Sequence, residues 1–290
     1  MNINTLKGTG VALVTPFTSG LELDLAGFEA LIEHTIKGGV DYLVINGTTG
    51  ESVTTTAQER QTLLNAAHRV ANNRVPLVYG IGGNNTQHVL DTIRQFNFDG
   101  ISAILSVSPY YNKPSQAGII QHYTKVADAS PVPVILYNVP GRTGSNINAE
   151  TTLRLANHPN IIGIKEASGN LEQCMHIVKN RPEGFLVISG EDILTVPMIS
   201  FGMDGAISVL ANAFPEKFSQ MVNKAMAGNF AEATKLLLGF LDLNPLMYEE
   251  SNPVGVKAAL EQLGVCGKAV RLPLAEATPG LIDKIKKAMY

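Results

Sequence analysis

The chain has 290 residues, 45% of them hydrophobic and 16% charged, which is enough apolar content for one large core or two smaller ones and too much for a disordered chain. A formal net charge of -3, without any run of lysine or arginine, gives no footprint for nucleic acid or for an anionic membrane surface, so a small-molecule task is expected. The only cysteines, Cys174 and Cys266, lie far apart and outside CxxC spacing, which argues against a disulfide framework and a structural zinc site.

Met1 to Gly8 lacks the charged region and apolar run of a secretory leader, and no apolar stretch is long enough to span a bilayer, so a cytoplasmic location is expected. From there the chain alternates. Short β-branched or apolar runs predict strands at Gly8–Pro16, Tyr42–Asn46, Pro76–Gly80, Ile101–Val107, Val132–Tyr137, Ile161–Lys165, Phe185–Ser189 and Gly205–Val209. Helical spacing predicts the segments between them: Asp24–Lys37, Thr56–Val70, Thr86–Phe96, Gln116–Ala127, Ala149–Ala156, Leu171–Lys179 and Ile193–Phe201. Strands alternating with helices in this number predict an α/β fold, a closed (βα)8 TIM barrel, with an open doubly wound sheet as the alternative. After Val209 only helices are expected, at Ala213–Met226, Phe230–Leu243 and Asn252–Leu263. The predicted division is therefore a barrel over residues 1–228 and a C-terminal helical subdomain over 229–290.

In such a barrel the chemistry sits where strands run out into the following loops. Those positions are unusually polar here: Asn46 to Ser52 (NGTTGES) after the second strand, Ser108 to Pro114 (SPYYNKP) after the fourth, Tyr137 to Gly144 (YNVPGRTG) after the fifth, Lys165 to Gly169 (KEASG) after the sixth and Ser189 to Asp192 (SGED) after the seventh. Closure would turn Thr48, Thr49, Tyr111, Tyr137, Arg142 and Lys165 towards one mouth. Lys165 is the residue that most needs a reason, because an ammonium at the end of a strand buried on both faces is costly. Its ordinary reading is a lysine that snorkels to solvent. Its chemical reading is a nucleophile: desolvation disfavours the ammonium, and the neutral amine can attack a carbonyl and form an imine. Imine chemistry needs a proton shuttle, and the phenol of Tyr137 ends the adjacent strand. A substrate carboxylate would suit the Gly47-Thr48-Thr49-Gly50 turn or the guanidinium of Arg142. Singly, each has a bland alternative: a tight turn, a rim aromatic, a surface ion pair. Their joint appearance at strand ends favours the functional reading.

Competing motifs are weak. Gly80-Ile81-Gly82-Gly83 begins like a dinucleotide fingerprint, but Asn85 occupies the third glycine position. No GxSxG elbow or phosphate-binding GxxxxGK[ST] loop occurs, and His34, His68, His88, His122, His158 and His176 never fall in HxH or HxxxH spacing, so neither a metal nor an organic cofactor is implied.

The segments GTTGES (Gly47–Ser52), SPYYNKPSQ (Ser108–Gln116), YNVPGRTG (Tyr137–Gly144) and GIKEASGN (Gly163–Asn170) resemble, in order and over essentially the whole chain, the dihydrodipicolinate synthase and N-acetylneuraminate lyase family of class I aldolases. The resemblance implies a βα barrel with a C-terminal helical domain. The paired threonines, the double tyrosine and Arg142 are similar to the synthase branch, which implies condensation of pyruvate with L-aspartate 4-semialdehyde to 4-hydroxy-tetrahydrodipicolinate, on the way to diaminopimelate and lysine. It further implies Lys165 as the imine-forming residue, Tyr137 as acid and base, Thr48 as its relay and Thr49 as a holder of the pyruvate carboxylate. Tyr111 would complete the relay from a neighbouring subunit, Arg142 would bind the second substrate's carboxylate, and Gly190 and Ile207 would line the pyruvate end through their backbones. A homotetramer, built as a dimer of dimers, is implied as well. Lysine-inhibited members bind lysine in an interface cleft, where this chain has Ala57, Arg60 and His88 in place of the usual histidine and carboxylate side chains, so weak or absent lysine feedback is expected. Two alternatives stay open: lyase chemistry on a sugar acid such as N-acetylneuraminate, and a catalytically idle barrel that binds a small acid.

Overall fold

The computed structural model describes residues 3–289, so the outermost residues of the expected 1–228 and 229–290 units, Met1, Asn2 and Tyr290, lie outside the described residues. Eight parallel strands close into a barrel in sequence order. They are β1 (Gly8–Ala12), β2 (Tyr42–Ile45), β3 (Leu77–Gly80), β4 (Ile101–Val107), β5 (Val134–Asn138), β6 (Ile161–Glu166), β7 (Leu186–Ser189) and β8 (Gly205–Ser208). The alternative of an open sheet is excluded by the pairing of β1 with β8, in which Gly8 faces Gly205 and Gly10 faces Ile207. That seam needs glycine: a Cβ on Gly205, whose φ is +133°, would lie 2.0 Å from the Gly8 carbonyl oxygen.

Strand side chains alternate between two cores. The inner one holds Ala12, Tyr42, Val44, Val78, Ala103, Leu105, Ile135, Leu186, Ile188 and Ile207, with Leu6 from the 3-10 helix Ile3–Leu6 at the base. The outer one holds Val11, Leu43, Leu77, Ile104, Val134, Leu136, Ile164 and Val187, packed against the surrounding helices. This is why the strands read as continuous apolar runs and not as alternating ones.

The helices are α1 (Leu25–Lys37), α2 (Ala57–Ala71), α3 (Thr86–Gln95), α4 (Gln116–Ala129), α5 (Pro140–Thr143), α6 (Ala149–Leu155), α7 (Leu171–Asn180), α8 (Thr195–Ser200), α9 (Pro215–Met226), α10 (Phe230–Leu238), α11 (Val254–Gln262) and α12 (Pro279–Met289). Their starts have a local cause, since Asp24, Thr56, Asn85, Ser115, Asn148 and Asn170 each accept a hydrogen bond from a backbone N–H of the first turn. Thr56 and Glu59 complete a reciprocal capping box on α2.

The differences from expectation cluster where the chain turns. The expected first strand stops at Ala12 instead of Pro16, and the expected helix 230–243 breaks after Leu238 at Gly239. The short α5 and the last helix α12 were not anticipated, α5 because its Pro-Gly start reads as a turn, and α12 because it follows the irregular stretch 264–278.

Candidate active site

Lys165 is the fifth residue of β6 and shares its inward parity with Ala167, while Glu166 alternates outward with Ile164. The Lys165 side chain is only 4% exposed. In the ladder Lys165 stands beside Tyr137 of β5 on one side and Ile188 of β7 on the other, and its Nζ lies 4.5 Å from the centroid of the Tyr137 ring. Tyr137 is buried too. Amine and phenol-bearing ring are thus held by neighbouring strands at the same height.

Gly190, just beyond β7, is what leaves room for the lysine. A Cβ at that position would lie 2.6 Å from the Ala167 Cβ and 3.0 Å from the Lys165 Cε. Ile207 is buried in the inner core at the matching level of β8. Beside it in the ladder, the space left by Gly10 is filled by the Tyr42 ring.

The loop after β2 carries Thr48 and Thr49. It leaves the strand through Asn46, at φ +60°, whose amide donates to the Gly80 carbonyl, and a Cβ on Gly80 would collide with the Asn46 carbonyl oxygen at 2.2 Å. Successive turns follow, with Gly50 N–H donating to Gly47 and Glu51 N–H to Thr48. Thr48 is half-buried, whereas Thr49 is buried and its hydroxyl oxygen accepts a hydrogen bond of 3.0 Å from the Asn252 amide.

Two expected members stand apart from this buried set. Arg142, in α5, is exposed at the rim. Tyr111 is 88% exposed at φ +74°, on a loop tied to α5 by its own N–H, which donates to the Thr143 carbonyl. Within one chain, therefore, Lys165, Tyr137, Gly190 and Ile207 are gathered, the Thr48–Thr49 loop leaves the C-terminal end of β2, and Tyr111 projects outward.

Residues that the sequence did not single out complete the surroundings. Behind β6, Glu166 is fully buried and receives hydrogen bonds from the side chains of Asn138 and Gln173 and from the Ser168 N–H. Burial raises its carboxyl above the ordinary value against the opposing pull of those donors. Asp192, also buried, accepts from the N–H groups of Val209 and Leu210 and so ties the β7 loop to the end of β8. Burial pushes the Glu191 and Asp192 carboxyls up, and the Lys165 charge works against that rise in both. Tyr248 is 38% exposed, yet burial of the rest of its side chain, followed by the nearby Asp192 and Glu191 charges, pushes its phenol up while Arg142 pulls it down. Asn138, Glu166, Ser168, Glu191 and Asp192 lie inside the polar strand-end segments, and that placement was their signal in the sequence, whereas Gln173 and Tyr248 lie outside them and offered none.

Among the described residues no group of histidine, cysteine, aspartate and glutamate is arranged to hold a metal, and both cysteines are buried thiols. What the arrangement can do is covalent carbonyl chemistry: a desolvated amine with an adjacent phenol, beside a loop rich in hydroxyl and N–H donors.

A sequence model of the dihydrodipicolinate synthetase family matches residues 5–289. The chain is 55% identical over 286 residues to the 4-hydroxy-tetrahydrodipicolinate synthase of Cytophaga hutchinsonii, covering 99% of this chain and 96% of that one. Its structure is similar to that of dihydrodipicolinate synthase from Thermotoga maritima, with a TM-score of 0.95 and 35% identity over 98% of each chain. It is similar as well to a chain characterised as the first monomeric dihydrodipicolinate synthase variant, with a TM-score of 0.96 and 34% identity over 99% of this chain and 97% of that one.

Proposed function

The chain belongs to the dihydrodipicolinate synthetase family, and we propose that it condenses pyruvate with L-aspartate 4-semialdehyde to give 4-hydroxy-tetrahydrodipicolinate, on the route to diaminopimelate and lysine. The observation that carries this reading is the buried Lys165 amine beside the Tyr137 ring, 4.5 Å from its centroid. The neutral amine adds to C2 of pyruvate and water leaves, forming an imine. Loss of a methyl proton gives the enamine, whose terminal carbon attacks the aldehyde carbon of the second substrate. The aldehyde oxygen takes up a proton and becomes the hydroxyl group. The substrate's amino group then displaces Lys165 at the imine carbon, closing the ring and freeing the lysine.

Every step moves a proton, and Tyr137 is the shuttle, with Thr48 and Tyr111 as its relay to solvent. Thr49 holds the pyruvate carboxylate, and the backbones at Gly190 and Ile207 line that end of the pocket. Arg142 suits the second substrate's carboxylate, because a guanidinium at the rim can bind bidentately without blocking the amine. No cofactor enters this scheme.

The proposal extends to assembly and setting. A tetramer built as a dimer of dimers would bring Tyr111 of a neighbouring subunit to the relay, which agrees with its exposure in the single chain. The division into a barrel over 1–228 and a helical unit over 229–290 is part of the reading, as is a cytoplasmic location. Among the described residues no helix is long and apolar enough to cross a membrane.

The discriminating experiment offers the protein pyruvate with either L-aspartate 4-semialdehyde or N-acetylmannosamine. Cyclic product from the first and no N-acetylneuraminate from the second is the expected result. The reverse pattern would move the chain to the lyase reading.

A further inference from the structure

Outside the pocket, the least expected group in the molecule is Lys257. It lies in α11, its side chain is fully buried, and its Nζ donates to Glu51 Oε1 at 2.5 Å and to the Ala269 carbonyl at 2.7 Å. The ring of Phe17 lies below it, 4.4 Å away at the centroid. Glu51 is equally buried, sits at φ +51°, and accepts from the Arg271 N–H through its other oxygen. Two residues earlier in the same turn stands Thr49, held by Asn252. The C-terminal helical part thus grips the loop after β2 at successive points, through residues more than two hundred positions away.

Such a pair is a poor way to add stability, because removing two charges from water costs about as much as their attraction returns. What it supplies is direction, and the loop it directs carries Thr48 and Thr49. The Asn252 contact acts on Thr49 itself: a hydroxyl oxygen that accepts from an amide keeps its own hydrogen free to be donated.

We propose that Asn252 and the Lys257–Glu51 pair are positioning residues for the first substrate, holding the Thr48–Thr49 loop so that the Thr49 hydroxyl donates to the pyruvate carboxylate. This rests on the reading of Thr49 as a carboxylate holder. The C-terminal helices then serve the reaction without touching either substrate.

The test is steady-state kinetics with both substrates, beside thermal melts, on Thr49→Val, Asn252→Ala, Lys257→Met and the charge-neutral double variant Glu51→Gln/Lys257→Met. Asn252→Ala and the double variant are expected to raise KM for pyruvate about tenfold or more, with KM for the semialdehyde little changed, since misplacing a binding group by about 1 Å can cost as much as a hundredfold. Adding Asn252→Ala to Thr49→Val should bring little further loss, because both act on one contact. A lowered melting temperature with an unaltered pyruvate KM in both Asn252→Ala and the double variant would reduce these residues to structural supports and overturn the proposal. If Thr49→Val alone leaves the pyruvate KM unchanged, the carboxylate reading falls and the proposal falls with it; if Thr49→Val raises KM and the others do not, only the positioning role is lost. Should Lys257→Met fail to fold, Asn252→Ala, which removes no buried charge, still decides.

Discussion

At the scale of single residues, the proposed chemistry assigns unequal duties to two neighbours: Lys165 would supply the electron pair, and Tyr137 would move the protons around it. Replacing Tyr137 by phenylalanine keeps the ring that packs beside the amine and removes only the hydroxyl. The expected outcome is a fall in kcat of about 10²- to 10⁴-fold, the usual worth of a positioned acid or base, with little change in KM for pyruvate. Arg142 has a different signature. It is exposed, in α5 beyond the end of β5, so Arg142→Ala should raise KM for the semialdehyde by about tenfold to a hundredfold, the worth of one charge-assisted hydrogen bond, and leave the pyruvate KM alone. Steady-state kinetics with each substrate varied in turn checks both.

The burial and placement of these residues were legible in the sequence to different depths. Lys165 announced itself because a charge ending an apolar strand is expensive, and Tyr137 because it ends the strand before it. Lys257 carries the same cost and went unnoticed. It stands alone among apolar residues and glycine from Val254 to Leu260, which is the same signal, but its partner Glu51 is 206 positions away. Local pattern holds no record of such a pairing.

At the scale of elements, strand periodicity located each barrel strand to within a few residues, because continuous apolar runs of that length have few other uses. Ends were less legible. β1 stops at Ala12, although the run continues through Val14, because Leu13 N–H still donates to Val44 but the chain then swings towards the bridge between Phe17 and Leu23. One buried group between elements gives a pH test. His122 of α4 is 4% exposed, its Nδ1 lies 2.9 Å from the Thr86 hydroxyl at the start of α3, and burial lowers its pKa to about 4. The unfolded chain therefore binds this proton more readily than the folded one, so stability falls as pH drops from about 6.5 towards about 4. The loss attributable to this group approaches about 3 kcal/mol at the acid end. Urea melts across that range should show the slope, and His122→Gln should flatten it; an unchanged slope would contradict the assignment.

At the scale of the whole molecule, the proposed assembly would connect activity to the exposed Tyr111 and bring Ala57, Arg60 and His88 into a cleft between subunits. Arg60 is committed to its own turn, donating to the Thr55 hydroxyl and to the Ser52 and Thr55 carbonyls, and His88 opens α3 on the surface. Neither offers the carboxylate that a lysine amine needs, so L-lysine should leave turnover unaffected at low millimolar concentration; half-inhibition there would refute this. Variants that dissociate into monomers are expected to lose turnover to a degree similar to Tyr111→Phe, as read by sedimentation and assay on the same samples. The closed barrel and the helical C-terminal part were foreseeable from alternation and its end, whereas the grip of that part on the loop after β2 depends on contacts that only the folded chain brings together.

The central claim is that Lys165 forms a covalent imine with pyruvate, and it is tested most directly by incubating the protein with pyruvate and borohydride and mapping the product by mass spectrometry, with Lys165→Ala as the control. The prediction is a single reduced pyruvate adduct on the peptide carrying Lys165, absent from the variant. An unlabelled Lys165, or an equal label in the variant, would contradict it.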